Sequence, residues 1–192
     1  MSALAEVIVE EWLNRQGYFT IRGIKIGVNE IDLLAIKPGP ENRIECRHIE
    51  VQASSRPVSY ISRVPKHIQR ETGKTANSSK RTPEELREGV DEWVERKFLS
   101  KKTLTLLGDL GPGTWTKELV IHKVKSTAEV RMIQRHGIIL HHLSDIARSL
   151  RELHHLIQSA AGGDLLELVH LGEAAVGTRE VGDLLSRAEY SP

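Results

Sequence analysis

Two apolar stretches of this sequence carry acidic residues where a buried strand normally carries none. In residues 29–36, Asp32 stands among Ile, Leu and Ala, and in residues 47–52, Glu50 stands between Ile and Val. An unpaired carboxylate is costly to bury, so each acid needs a partner. Two acids on adjacent strands are typical of a site for a hard divalent cation, which prefers oxygen ligands. We therefore expect Asp32 and Glu50 to hold Mg²⁺, with Mn²⁺ as a substitute. Salt bridges to Arg or Lys are the alternative.

The second of these stretches is polar along one side. In a strand over residues 44–53, Cys46, His48, Glu50 and Gln52 alternate with other residues and share one face. Gln52 can orient a water molecule by hydrogen bonding, although it carries no charge. His48 is expected to contact phosphate or to shuttle protons, and a hydrogen-bonded, half-buried histidine is the alternative.

Hydrophobic periodicity divides most of the chain into helices and strands. The pattern predicts a helix, three strands, a helix, a strand, a helix, a strand and a helix, at residues 3–16, 18–26, 30–37, 44–53, 83–98, 118–124, 126–135, 137–143 and 145–160. This order predicts an α/β fold with a mixed central sheet of about five strands flanked by helices. The first three strands form a meander, and the last two form a parallel pair joined by a helix. We assign residues 1–160 to this domain and residues 161–192 to a C-terminal helical appendage or tail.

Two helix starts are marked by capping sequences. Thr82 is followed by a proline and, three residues later, by Glu85, which is the pattern of a capping box. Ser126 and Glu129 repeat this spacing. Both pairs predict that a helix begins directly after the hydroxyl residue.

The charge distribution singles out residues 56–81. This segment contains seven bases against one acid, whereas the whole chain has a formal net charge of only +1. Because it begins shortly after the proposed acid site, its bases are placed to bind phosphates there. We expect phosphate contacts from Arg56, Arg63, Lys66 and Arg70. A solvated loop is the alternative, and residues 72–80 have the composition of a mobile loop that orders on binding.

The general composition is that of a globular protein. Charged residues make up 28% of the chain and hydrophobic residues 39%, close to average usage. A single cysteine, Cys46, excludes an internal disulfide framework and suits a reducing compartment. No apolar stretch reaches the length of a membrane span, and residues 1–6 lack the pattern of a signal peptide. We therefore expect a cytoplasmic protein without a membrane partner.

The acids and their spacing resemble the PD-(D/E)XK nuclease superfamily, the fold of many restriction endonucleases and archaeal Holliday-junction resolvases. Glu6 matches the glutamate that the family carries on its N-terminal helix. Asp32 matches the aspartate of one strand, and Glu50 matches the glutamate of the next. Gln52 stands where the family usually has lysine. The resemblance covers residues 3–55 closely and residues 84–147 loosely.

The resemblance implies a metal-dependent endonuclease that hydrolyses phosphodiester bonds in DNA. It implies catalytic roles for Asp32, Glu50, Gln52 and Glu6, and metal ligation by Asp32, Glu50, Glu6 and the Val51 carbonyl. Duplex-cutting members often act as dimers, so a homodimer is expected. The alternative function, which Gln52 keeps open, is a nuclease-like domain without catalysis that binds nucleic acid or a protein partner.

Overall fold

A computed structural model describes residues 3–54, 57–111 and 113–152, which form a five-stranded sheet with helices on both faces. The strands are β1 (Phe19–Ile26), β2 (Asn29–Pro38), β3 (Ile44–Gln52), β4 (Trp115–Ile121) and β5 (Ile139–His142). They lie side by side in chain order. β1, β2 and β3 are antiparallel neighbours, whereas β3, β4 and β5 are parallel. The predicted α/β class with a mixed sheet of about five strands is therefore confirmed.

The helices surround this sheet. They are α1 (Ala3–Arg15), α2 (Lys66–Thr72), α3 (Pro83–Val94), α4 (Lys101–Leu110), α5 (Thr127–Arg135) and α6 (Leu143–Glu152). A π-helical turn (Glu95–Leu99) joins α3 to the residue before α4. In the described part of the chain, no helix is both long and apolar enough to cross a bilayer. The appendage expected at 161–192 lies outside the described residues.

An apolar core on each face of the sheet holds the helices in place. On one face, α1 packs against Leu33 and Ile49. On the other, Trp93 and Phe98 pack against Leu119. Burying a side chain of this size contributes about 1.5–3 kcal/mol, so both layers are firmly attached. Because side chains alternate along a strand, odd-numbered residues of β3 face α1 and even-numbered residues face the π-helical turn.

The two predicted helix starts are both present, but they differ in detail. The Thr82 side chain accepts a hydrogen bond from the Glu85 amide (3.3 Å), and the Glu85 carboxylate accepts one from the Thr82 amide (2.8 Å), which completes the capping box. Ser126 accepts from the Glu129 amide (3.2 Å). The Glu129 carboxylate does not return to Ser126. It binds another part of the chain.

Side-chain contacts hold the segment that follows β3 to the rest of the fold, and the ordering of residues 72–80 on binding stays a prediction. Glu129 accepts hydrogen bonds from the amides of Ile61 and Ser62, each at 2.8 Å. The Arg81 guanidinium donates to the carbonyl oxygens of Ser62 and Ser78. The Lys74 ammonium lies 2.6 Å from the Glu85 carboxylate. Glu129 belongs to α5, which lies far along the chain, whereas Glu85 belongs to α3, which directly follows the segment.

The region after α3 also departs from the sequence-based expectation. The helix expected over 83–98 ends at Val94 and continues as the π-helical turn. The helix α4, which ends at Leu110, is not among the elements predicted from the sequence. Ser100 caps α4 by accepting from the Thr103 amide (3.2 Å), and Leu107 is buried against the sheet.

Candidate active site

Asp32 and Glu50 face each other across two antiparallel strands. The paired ladder of β2 and β3 ends at Leu33 and Ile49, and the acids occupy the next position on each strand. Directly opposed residues of an antiparallel pair project to the same face. Both acids are fully enclosed, with 1% and 0% of their surface exposed. The Val51 amide donates to Asp32 Oδ2 (2.8 Å), which ties the first acid to the strand of the second.

A lysine from the π-helical turn reaches this acid pair. The Lys97 ammonium contacts Glu50 Oε2 and lies 3.9 Å from Asp32 Oδ1. It also donates a hydrogen bond to the Glu30 carbonyl oxygen (3.0 Å), at the start of β2. The Lys97 side chain is 14% exposed. One ammonium therefore faces two carboxylates at a largely enclosed site.

The electrostatics of the acid pair favour a further cation. Burial and the negative charge of Glu50 raise the pKa of Asp32 to about 7, although the positive charge of Lys97 acts in the opposite direction. Burial also raises the pKa of Glu50 to about 7, although Lys97 opposes this shift. A carboxyl with a raised pKa holds a proton until another cation replaces it. The acid pair is thus poorly neutralised by Lys97 alone.

His48 lies beneath the acid pair rather than at the surface. Its Nε2 atom is 3.4 Å from Glu50 Oε1, and its ring centroid is 4.7 Å from that of Phe98. Burial, followed by the charge of Lys97, lowers the pKa of His48 to about 4, so the ring is neutral at pH 7. The ring is fully buried. In this structure His48 contacts Glu50 from inside the core, and its expected phosphate contact or proton shuttling stays a prediction.

Glu6 of α1 lies close enough to Asp32 for the two carboxylates to influence each other electrostatically. The pKa of Glu6 is raised by partial burial and, next, by the negative charge of Asp32. Gln52 ends β3 on the same face as Glu50 and is half-buried. Val51 is held in the α1 core and gives its amide to Asp32. Metal ligation by Glu6 and by the Val51 carbonyl stays a prediction.

The donors at this site suit Mg²⁺ or Mn²⁺. Asp32 Oδ1 is buried and accepts no hydrogen bond from any described residue. Within residues 3–54, 57–111 and 113–152, no group of three His, Cys, Asp or Glu side chains is arranged to enclose a metal. Mg²⁺ is commonly held by one or two carboxylates, with water and substrate phosphates completing its shell. Asp32 and Glu50 fit that arrangement.

The proposed phosphate-binding residues lie on a neighbouring surface. Arg63, Lys66 and Arg70 are exposed on or next to α2, whereas Arg56 lies outside the described residues. Gly89 of α3 allows this segment to pack closely, since a Cβ atom there would stand 2.7 Å from the Arg63 carbonyl oxygen. Among the described residues, Arg63, Lys66 and Arg70 make no contact with the acid pair. Their role in phosphate binding stays a prediction.

A second buried polar cluster, not expected from the sequence, lies on the α1 face of the sheet. Arg47 donates to both carboxylate oxygens of Glu118, at 2.7 and 2.5 Å. Thr116 and His141 also bond Glu118 (2.6 and 2.7 Å). The Arg47 guanidinium stacks on the Trp12 ring. This cluster lines a cavity of about 770 Å³. Its charges satisfy one another, so we assign it a structural role.

Sequence reasoning therefore found the acids and missed the lysine. Lys97 stands in Glu-Arg-Lys-Phe-Leu, a context that resembles the exposed side of a helix. The one signal for its position is the buried residue that follows it, Phe98, because the two side chains leave the turn in different directions.

Comparisons with known proteins leave the function open. No model of a known protein family matches the sequence, and no curated protein matches it. A solved structure described as the crystal structure of a protein of unknown function, AF1548, aligns with a TM-score of 0.42 and 16% sequence identity. The alignment covers 73% of this chain and 59% of the other, so this chain spans about three-fifths of that protein's length.

Proposed function

We propose that this chain is a metal-dependent endonuclease that hydrolyses phosphodiester bonds in DNA. The observation that carries the proposal is the pair of opposed, buried carboxylates of Asp32 and Glu50. A structural pair of acids would be neutralised within the fold, yet both of these have a raised pKa and Asp32 Oδ1 accepts no hydrogen bond from a described residue. Such features are typical of functional sites.

Each residue of the site has its own role in the proposed hydrolysis. Asp32 and Glu50 would hold Mg²⁺, which when bound lowers the pKa of water and neutralises phosphate charge. Gln52, on the same face as Glu50, orients the attacking water by hydrogen bonding. Glu6 would add a third carboxylate, which would hold a second ion or a water molecule bound to the first ion. His48 fixes Glu50 from below.

Two further features of the proposal concern the setting. DNA is the expected partner, and a homodimer would match the two-fold symmetry of a duplex. Cys46 is buried as a free thiol, which fits a reducing compartment, and we place the protein in the cytoplasm.

The test is cleavage of DNA under defined metal conditions. Supercoiled, linear, branched and single-stranded DNA are each incubated with the protein in Mg²⁺ and in Mn²⁺. We expect cleavage of at least one substrate, and a loss of about 100-fold or more in Asp32→Asn and Glu50→Gln. Asp109→Asn, at an exposed position of α4, is the matched control and keeps full activity. Activity that survives in both acid variants would refute this assignment of the site.

One observation favours a second candidate function, a nucleic-acid-binding domain without catalysis. The contact between Lys97 and Glu50 resembles an internal ion pair that replaces a metal. In that case DNA binds without being cut, and neither metal changes its affinity. Fluorescence anisotropy with the same four DNA substrates, with and without Mg²⁺, separates the two functions.

A further inference from the structure

Lys97 places a positive charge beside both carboxylates of the acid pair. Its ammonium contacts Glu50 Oε2 and lies 3.9 Å from Asp32 Oδ1. These are the oxygens that a divalent ion would also use. A lysine ammonium is a compact charge on a flexible stem, so it can leave one oxygen and bind another. In the structure the ammonium contacts the Glu30 carbonyl oxygen (3.0 Å) at the same time as Glu50.

The π-helical turn aims this lysine at the acids. Phe98 is buried between the rings of Trp93 (5.7 Å between centroids) and His48 (4.7 Å). Burial of Phe98 fixes the orientation of the turn, and the preceding side chain must then leave it in another direction, towards β2 and β3. The contact between Lys97 and Glu50 is thus held by the core and not by a flexible loop.

On the face that carries Glu50, the residue of β3 at the family's lysine position provides no positive charge. Gln52, which shares the face of Glu50, is neutral, so it can orient a water but cannot stabilise an anion by charge. A phosphodiester brings negative charge to the site, and more develops during hydrolysis. Fixed positive charges aimed at that position are usually worth a large part of the rate.

We infer that Lys97 has two roles: it opposes the binding of a divalent ion by Asp32 and Glu50, and it binds the substrate phosphate once the ion holds those carboxylates. The inference rests on the proposed function, but its first half concerns metal binding alone. Two cations that share Glu50 repel each other, so removing the lysine charge strengthens metal binding. The same removal leaves the phosphate without its cation, so hydrolysis slows. The two effects have opposite directions.

The experiment measures both effects in Lys97→Met. Mn²⁺ affinity, from calorimetry and from the rise in thermal midpoint with added Mn²⁺, should increase about tenfold. DNA cleavage at saturating Mn²⁺ should fall about 100-fold or more. Lys101→Met, which removes an exposed lysine four residues further on, is the matched control and leaves both quantities unchanged. A Lys97→Met protein with unchanged or weaker Mn²⁺ binding would overturn the first role.

Rescue tests the second role. In the double variant Lys97→Met/Gln52→Lys, a lysine returns to the site from the strand, and we expect cleavage to recover by tenfold or more over Lys97→Met. Gln52→Ala alone should lower cleavage, since it loses the water-orienting amide. Unchanged cleavage in Lys97→Met would overturn the role in phosphate binding.

Two further variants keep the test decisive. If Lys97→Met does not fold, Lys97→Gln and Lys97→Arg replace it. The inference then requires tighter Mn²⁺ binding in Lys97→Gln than in Lys97→Arg, and the reverse order would overturn it. A wild-type protein that cuts no DNA would refute the proposed function. Stronger Mn²⁺ binding after loss of the lysine charge would still support the competition.

Discussion

Arg47 and Glu118 are joined by two hydrogen bonds that link β3 to β4 on the face opposite Glu50. The Glu118 carboxylate of β4 accepts both hydrogen bonds from the Arg47 guanidinium of β3. The Trp12 ring of α1 stacks on this guanidinium. One strand, β3, thus contributes an ion pair to one face and the acid site to the other. We therefore expect the loss of a carboxylate charge to change the free energy of unfolding in opposite directions on the two faces.

Loss of the Glu118 charge should destabilise the protein. Burial alone would raise the pKa of Glu118, but hydrogen bonds from Arg47 and His141 and the charge of Arg47 outweigh burial and lower it to about 2. Because the folded-state pKa lies below the ordinary value of 4.5, the stabilisation is present above pH 4.5 and is lost as the pH falls towards 2. Glu118→Gln should therefore cost about 3 kcal/mol in urea unfolding at pH 7, because Arg47 stays buried without its partner.

Most of this cost of Glu118→Gln should vanish at pH 2, where wild-type Glu118 is itself about half protonated. Glu41→Gln is the control, because Glu41 forms its ion pair with Arg43 at the surface, where their side chains are 79% and 74% exposed. It should leave the free energy of unfolding unchanged at both pH values. A pH-independent loss in Glu118→Gln would contradict this account.

Loss of the Asp32 charge should have the opposite effect on stability. The pKa of Asp32 is raised by burial and by Glu50 to about 7, above its ordinary value of 3.8. The stability that the protonated Asp32 contributes is therefore present below pH 3.8 and is lost as the pH rises from 3.8 through about 7. At pH 8 in a metal chelator, Asp32→Asn should be more stable than the wild type by on the order of 2–4 kcal/mol in urea unfolding. Asparagine can still accept the Val51 hydrogen bond.

The gain from Asp32→Asn should disappear at pH 4, where the wild-type carboxyl is protonated in the folded state. It should also shrink in saturating Mg²⁺, which stabilises only the wild-type site. Asp109→Asn should change nothing under either condition. Equal stability of Asp32→Asn and wild type at pH 8 would show that the acid pair is already neutralised by the fold.

Two glycines in helices should respond to alanine with opposite signs. Alanine is favoured over glycine in a helix by about 1 kcal/mol. At Gly108 of α4, an added Cβ atom meets no atom within 4 Å, so Gly108→Ala should raise the free energy of unfolding by about 0.5–1 kcal/mol. At Gly89 of α3, the Cβ atom would stand 2.7 Å from the Arg63 carbonyl oxygen. Gly89→Ala should lower stability by about 1–3 kcal/mol, because backbone must shift. Urea unfolding at pH 7 measures both, and stabilisation by Gly89→Ala would contradict the close packing of this segment on α3.

The exposed bases next to α2 should determine the salt dependence of DNA binding. Phosphate contacts release counterions, so each base that is lost lowers the slope of log affinity against log salt by about one unit. Arg63→Ala/Lys66→Ala should reduce the slope by about two units in fluorescence anisotropy, equally for all DNA sequences. Lys37→Ala/Arg43→Ala, at the far end of the β2–β3 hairpin from the acids, is the control with an unchanged slope. An unchanged slope in the first variant would place the DNA interface elsewhere.

The strands and the acid pair were predictable because their signals are local. Alternation along 44–53 identified β3, and Asp32 and Glu50 stood out because their neighbours are apolar. The capping box at Thr82 fixed the start of α3, since its two hydrogen bonds join residues three positions apart. Each of these features depends on a few neighbouring residues.

The remaining features depend on partners that are distant in sequence. The segment after β3 looked loose because its anchor, Glu129, lies in α5, and the capping spacing of Glu129 pointed to a different partner. His48 looked accessible because nothing in β3 indicates the burial that Phe98 imposes. Lys97 was missed for the same reason, since a change from α-helical to π-helical winding leaves no clear mark in the residues themselves.

The π-helical turn makes the length of the chain between α3 and α4 as important as its residue types. Each residue of an α-helix advances the direction of the next side chain by about 100°. Deleting one residue from Glu95–Leu99 would therefore leave a lysine and a phenylalanine in the sequence but rotate them away from their present targets. A related protein with a single-residue gap here would keep Asp32 and Glu50 and still lack their ammonium. A search for such relatives should align this turn by its spacing to the buried Trp93, and not by lysine alone.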